Sequence, residues 1–273
     1  MRRSTGWLGA LPLLAFYAFV FGVPAVALVA GAFTAQGRPT LENFRLSLQG
    51  GNLTSIAGSI QVSAVVAVLG AVLGTFLAYA VVTSRSAGLR SAVLTASGVL
   101  ANFGGVPLAF FWVATLGNSG VVTGLFGLPP GVLFTFWGLV IVYLYFSVPL
   151  MVLVMAPALD GLKPQWREAA ANNGATTWHY WRYVALPVLT PALLGGVVLL
   201  FGAAFAAYAT AAAMGAGTVV PLVTLKIANA LTSDVLIGQE NVALALSLDM
   251  IVVAGLVMAV YLPLQRRSTR WLQ

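Results

Sequence analysis

The side chains able to carry chemistry are few. The 273 residues include no Cys, a single His (His179) and six Asp or Glu. Thiol catalysis, thiolate metal sites and a disulfide framework are excluded, and one His cannot build a multi-histidine zinc site, so no metal-binding residue is expected. A phosphate-binding loop needs Gly-Lys followed by Ser or Thr, but the two lysines, Lys163 and Lys226, follow Leu162 and Leu225. The chain therefore carries no nucleotide site, and no bound cofactor is expected. Two carboxylates stand apart from the rest. Glu168 heads a Glu168-Ala169-Ala170 triplet, followed at a fixed distance by Gly174-Ala175 and then by Leu186-Pro187. It could accept a charge-assisted hydrogen bond from an Arg or Lys of a partner, or pair with its neighbours Arg167 or Lys163. Asp249 lies deep in an apolar run, where an acidic residue costs about 2.5–3.5 kcal/mol and marks a functional site by default. Three readings of it stay open: contact with a substrate, a hydrogen bond between helices or subunits, and snorkelling to the surface.

The elements that must position these groups follow from composition. The chain is 60% apolar and 7% charged, with a mean hydropathy of +0.97, whereas soluble domains carry about 25% charged and 45–50% apolar residues. Such a chain cannot cover a water-facing surface. Six apolar runs are long enough to cross a hydrocarbon core, which takes about 20 residues: Leu8 to Phe33, Ala57 to Val82, Ala92 to Leu116, Val132 to Leu159, Pro191 to Met214 and Val242 to Pro263. Stretches such as Val62 to Leu69 lack the alternation of a membrane β-strand. The expected fold is all-α and integral to the membrane, with six transmembrane helices in a single domain over 1–273.

Ten of the thirteen basic residues fall on one side of these spans: Arg2, Arg3, Arg85, Arg90, Lys163, Arg167, Arg182, Arg266, Arg267 and Arg270. The positive-inside rule then places both termini in the cytoplasm. The net charge of +7 is orientation information, and nucleic acid is not an expected partner. The first run exceeds the 7–15 apolar residues of a secretory signal, which favours an uncleaved anchor.

The one sizeable cytoplasmic segment, 160–190, is expected to form a helical hairpin. Pro164 suits a first turn, Gly174 suits a left-handed closing residue, and Thr176 or Thr177 can cap a second short helix that runs through Tyr183 and ends near Pro187. Trp166, Trp178, Tyr180, Trp181 and Tyr183 put five aromatics there, to be covered by lipid headgroups or by a protein.

Glu168-Ala169-Ala170, Gly174-Ala175 and Val184-Ala185-Leu186-Pro187 resemble the "EAA…G…I-LP" loop of the membrane subunits of binding-protein-dependent ABC importers, with Val184 where Ile is usual. Ala101 to Phe110, Tyr143 to Leu162 and Phe201 to Met214 resemble permeases of the spermidine/putrescine type. The resemblance implies the type I ABC importer permease fold in a bacterial inner membrane. It also implies a second permease, expected to be a different chain, an ATPase dimer that uses ATP and Mg, and an extracytoplasmic solute-binding protein. It makes Glu168, Ala169, Ala170, Gly174, Ala175, Leu186 and Pro187 the coupling residues. Spans three and five line the path in that family, which implies Asn102, Tyr208 and Thr210 as path residues beside Asp249. The solute it implies is a polyamine, with ferric iron, thiamine and aminophosphonates as alternatives.

Outside, VVPLVTLKIANAL (219–231) is too short to cross and is expected to be re-entrant or interfacial, with Asp234 and Glu240 available to a binding protein or merely solvated. An ion-driven carrier is the rival of another class. It would need several buried ionisable groups and inverted repeats, and only Asp249 is present. A membrane enzyme would need a nucleophile, base or metal cluster that the sequence lacks.

Overall fold

A computed structural model describes residues 6–35, 37–232 and 240–269. Arg2, Arg3, Asp234 and Arg270, which bear on orientation and on the outer surface, lie outside the described residues. Among the described residues, six helical stretches are long and apolar enough to cross a membrane: Leu11–Ala32, Gly50–Val82, Val106–Phe126, Phe136–Asp160, Thr177–Phe205 and Glu240–Arg266. The six-span all-α architecture stands as expected. Contacts divide the chain into two compact units, residues 1–54 with 226–253, and 55–225 with 254–273.

In the first unit, α1 (Gly6–Ala32) runs into a two-residue hairpin, β1 (Thr34–Ala35) with β2 (Arg38–Pro39), and the short helix α2 (Glu42–Ser47). Among the described residues, little covers the apolar length of α1 between Leu11 and Ala27, as suits a helix facing lipid or another subunit. The turn back to α2 is held by Asn43, whose buried amide donates to the carbonyls of Ala32 at 3.0 Å and Thr34 at 2.9 Å. These are carbonyls that the end of α1 leaves without helical partners. The unit takes in the start of α3 (Gly50–Val82), most of α12 (Val223–Thr232) and the first half of α13 (Glu240–Thr269). Gly31 of α1 admits the Leu244 side chain of α13, whose Cδ1 occupies the space a Cβ would need.

The second unit is built from the remainder of α3, α4 (Ala87–Asn102), α5 (Val106–Leu116), α6 (Val121–Phe126), α7 (Phe136–Asp160), α8 (Pro164–Asn172), α9 (Thr177–Tyr180), α10 (Leu186–Phe205), α11 (Ala209–Ala213) and the end of α13. α7 is its centre, with α4 and α10 packed along it. Lipid offers no hydrophobic drive for helices to associate, so close approach depends on small residues. Met151 of α7 is fully buried between two of them. A methyl at Gly74 of α3 would fall against the Met151 Cβ and 2.8 Å from the Val148 carbonyl oxygen, and one at Gly196 of α10 would lie 2.7 Å from the Met151 Cε. Ser86 opens α4 by accepting the Leu89 N–H at 3.3 Å, and Thr135 opens α7 by accepting the Gly138 N–H at 3.1 Å.

Two expected spans are interrupted. The run 92–116 is divided between α4 and α5 at Phe103–Gly105, and the length that crosses continues through α6 to Phe126. Gly105 takes a left-handed φ of +75°, which side chains with a Cβ rarely adopt, and Pro107 starts the next helix without needing an N–H partner. The run 191–214 ends as a helix at Phe205 and resumes only as the single turn of α11.

Candidate functional site

Two places gather the residues singled out by sequence. The first is the hairpin between α7 and α10. α8 begins at Pro164 and closes with Asn173, Gly174 at φ +75° and Ala175. The Gly174 N–H donates to the Ala171 carbonyl at 2.9 Å and the Ala175 N–H to the Ala170 carbonyl at 3.0 Å, the paired bonds of a Schellman cap. The distance from Ala170 to Gly174-Ala175 is thus the distance this cap requires, and Asn173 adds a side-chain bond to the Ala169 carbonyl at 2.8 Å. Thr176 caps the next turn, accepting the His179 N–H at 3.3 Å, as expected.

The second helix of the hairpin does not end near Pro187. α9 passes through a π-helical turn, Trp181–Ala185, directly into α10, so that helix continues from Thr177 to Phe205. The Leu186 N–H reaches back five residues to the Trp181 carbonyl. The wider turn relieves the clash of a proline ring with the preceding carbonyls, and Pro187 sits where α10 opens and its missing N–H costs little. The second half of the loop, from Thr177, is therefore an extension of span five. Glu168, Ala169 and Gly174 are exposed on it, Ala170, Ala175 and Pro187 are half-buried, and Leu186 is exposed at the start of α10. Trp178 and Tyr183 are 66% and 67% exposed. Tyr180 is buried, and Trp181 meets Tyr79 of α3 edge to face at 5.3 Å between ring centroids.

The second place is where the two interrupted spans meet. Thr210, at the start of α11, accepts the Gly105 N–H at 2.9 Å and donates to the Gly105 carbonyl at 3.2 Å. Ala207, in the break after α10, loses its helical partner. Its carbonyl accepts the hydroxyl of Tyr143 at 3.1 Å and that of Thr224 at 3.5 Å. Irregular backbone at membrane depth survives only when its polar groups find such partners. Thr210 is buried and occupied with backbone, whereas Asn102 and Tyr208 remain exposed, Tyr208 at 45%. The Asn102 amide donates to the Gly98 carbonyl of its own helix at 2.9 Å. The pairing of Gly105 with Thr210 and of Tyr143 with Ala207 is set only by the folded backbone.

Asp249 belongs to the first unit. Its carboxylate accepts the hydroxyl of Ser47 at 2.6 Å. Of its three open readings, the one observed is a hydrogen bond between helices.

Residues 106–270, which include the hairpin and most of the junction, match the family described as the binding-protein-dependent transport system inner membrane component. The sulfate transport system permease protein CysT of Escherichia coli is 40% identical over 70 residues, 26% of this chain and 25% of CysT. The thiamine transport system permease protein ThiP of the same organism is 29% identical over 147 residues, 54% of this chain and 26% of ThiP. These matches span about a quarter of each relative's length. The trehalose transport system permease protein SugB of Mycobacterium tuberculosis is 26% identical over 210 residues, 73% of this chain and 72% of SugB. The fold is shared with a chain in the crystal structure of a bacterial ABC transporter for import of the acidic polysaccharide alginate, at a TM-score of 0.76 and 18% identity over 96% of this chain and 94% of that one.

Proposed function

The chain belongs to the binding-protein-dependent transport system inner membrane component family, and from that premise we propose that it is the membrane-spanning subunit of an ATP-driven importer. It pairs with a second permease chain to form a path across the inner membrane, acts as one permease domain, and leaves ATP and Mg chemistry to an ATPase dimer. The observation that carries this reading is the hairpin after α7, in which a Schellman cap at Gly174-Ala175 closes α8 and the next helix, α9, continues without interruption into span five. α9 is one helix with span five and the capped turn ties α8 to it, so displacement of a docked ATPase would reach the junction of Gly105 with Thr210 instead of being absorbed by a flexible loop. Glu168, Ala169, Ala170, Gly174, Ala175, Leu186 and Pro187 are the coupling residues of this proposal.

The break between α10 and α11 is the proposed gate. Asn102 and Tyr208 are the side chains left to meet a solute, with Thr210 holding the backbone behind them. Asp249 is proposed to hold α2 against the last span through Ser47. The hairpin faces the cytoplasm by the distribution of Lys and Arg, and a solute-binding protein delivers from the opposite side. The alginate transporter has been crystallised with its periplasmic protein, which favours such a partner.

The cargo is proposed to be a small charged solute. A polyamine rests on the sequence likeness alone, and the relatives above are named for sulfate, thiamine and trehalose. Thiamine, a small organic cation, is the second reading, favoured by the 147-residue match to ThiP. The test is ATPase stimulation after co-purification with the neighbouring gene products in lipid discs. Spermidine, putrescine, thiamine, sulfate, ferric iron, an aminophosphonate and trehalose are each supplied with the cognate binding protein. Stimulation by one of the others and by neither polyamine removes the polyamine. Absence of any associated ATPase removes the importer reading.

A further inference from the structure

Behind the hairpin lies a recess of about 730 Å3, bounded by Tyr79, Val82 and Thr83 at the end of α3, Leu159 and Asp160 at the end of α7, Trp181, and one face of α8. That face carries Lys163, Arg167 and Glu168. Asp160 forms an ion pair with Arg90, and among the described residues neither Lys163 nor Arg167 forms one. Two cations therefore stand in the recess against one uncommitted carboxylate. The aromatic pair Tyr79 and Trp181 lies at its wall, a residue type that concentrates where hydrocarbon gives way to water. Tyr79, which lines the recess, also ends an apolar strip. Val68, Val72, Phe76 and Tyr79 follow one another along a single face of α3, all exposed, with Phe76 at 70%.

We propose that this recess binds the phosphate headgroup of an anionic phospholipid, with Lys163 and Arg167 as its charged ligands and the α3 strip alongside its acyl chains. A diester phosphate with acyl chains satisfies both halves of the surface. A free phosphate satisfies only the cations. Headgroup binding would also brace α8 against the ends of α3 and α7, the elements it must move with. The proposal rests on the six-span membrane reading and not on import, so ATPase association, read by pull-down on the same preparations, fails or succeeds separately.

Calorimetric titration of the purified full-length chain in neutral detergent tests it, with dihexanoyl-phosphatidylglycerol, dihexanoyl-phosphatidylcholine and inorganic phosphate as probes. Phosphatidylglycerol is expected to bind, and the other two to bind at least about tenfold more weakly, by the loss of charge or of apolar contact. Lys163→Gln and Arg167→Gln should each weaken phosphatidylglycerol about fivefold, and the pair about 30-fold. Arg182→Gln, on the same hairpin but outside the recess, should leave binding unchanged. Circular dichroism verifies that each variant is folded, and the single variants decide the matter if the double one is not. Equal binding of the two lipids, unchanged affinity in the Lys163 and Arg167 variants, or equal loss in Arg182→Gln overturns the proposal. Inorganic phosphate binding as tightly as phosphatidylglycerol overturns the lipid and assigns the recess to a free anion.

Discussion

Ser47 donates its hydroxyl hydrogen to the Asp249 carboxylate at 2.6 Å, joining the short helix α2 to the last span within one compact unit. Ser47 is fully buried, and its hydroxyl lies 2.9 Å from the Phe44 carbonyl as a second acceptor. The carboxylate that sequence alone leaves open to a solute thus has a partner in its own chain.

Replacing Asp249 tests that partnership. Asp249→Asn keeps an acceptor for Ser47 and should leave thermal stability in detergent, assembly and uptake close to wild type. Asp249→Ala removes the acceptor and should cost about 1–2 kcal/mol. Loss of uptake in Asp249→Asn with intact assembly would place the carboxylate in the path.

At the junction of the interrupted spans, Thr210→Val keeps the shape and deletes both bonds to Gly105. The partly buried Gly105 N–H is then left without its partner, at a cost of about 1 kcal/mol. Thermal unfolding should show the loss, and transport measured in lipid discs should fall with it. Thr210→Ser, which restores the hydroxyl, should recover both.

Gly74 and Gly196 flank the same Met151 but should respond differently to a methyl group. At Gly74 the obstacles are the Met151 Cβ and the Val148 backbone, which cannot yield without moving α7. At Gly196 they are the far end of a flexible thioether. Gly74→Ala is therefore expected to cost about 1–3 kcal/mol, and Gly196→Ala less. Folded yield and thermal midpoint compare the two, and equal effects would contradict the difference in their neighbours.

For the hairpin, deleting 168–174 should abolish recovery of the ATPase in a pull-down while the chain still inserts. Glu168→Ala removes one partner of a charge-assisted contact and should weaken association about tenfold or more. Gly174→Ala forces a Cβ into left-handed backbone, at about 1–2 kcal/mol, and should weaken association by loosening the cap of α8 with Glu168 intact. Full uptake after the deletion would favour an ion-driven carrier.

Much of this was legible in the sequence because the signals were local or cumulative. Six apolar runs report themselves without knowledge of any partner. Pro164, Gly174 and Thr176 specify turns through their own backbone preferences, and each is found in the expected role. The continuation of helix past Pro187 was not legible, since proline reads as a stop unless a π-turn makes room for it. The division of the run 92–116 was not expected, although Gly105 and Pro107 at the break are residue types that interrupt helices. Nothing local said that the gap would be filled from span five.

The sequence by itself determined the solvent of this protein, the number of its spans and the loop that marks its family, because hydropathy and turn chemistry act over a few neighbouring residues. Only the tertiary structure decided which polar groups serve one another. Thr210 with Gly105, Tyr143 with Ala207 and Ser47 with Asp249 are separated by 105, 64 and 202 positions. In hydrocarbon each unpaired group is costly wherever it lies in the chain. The need for a partner is readable in advance, and its identity depends on how the helices pack.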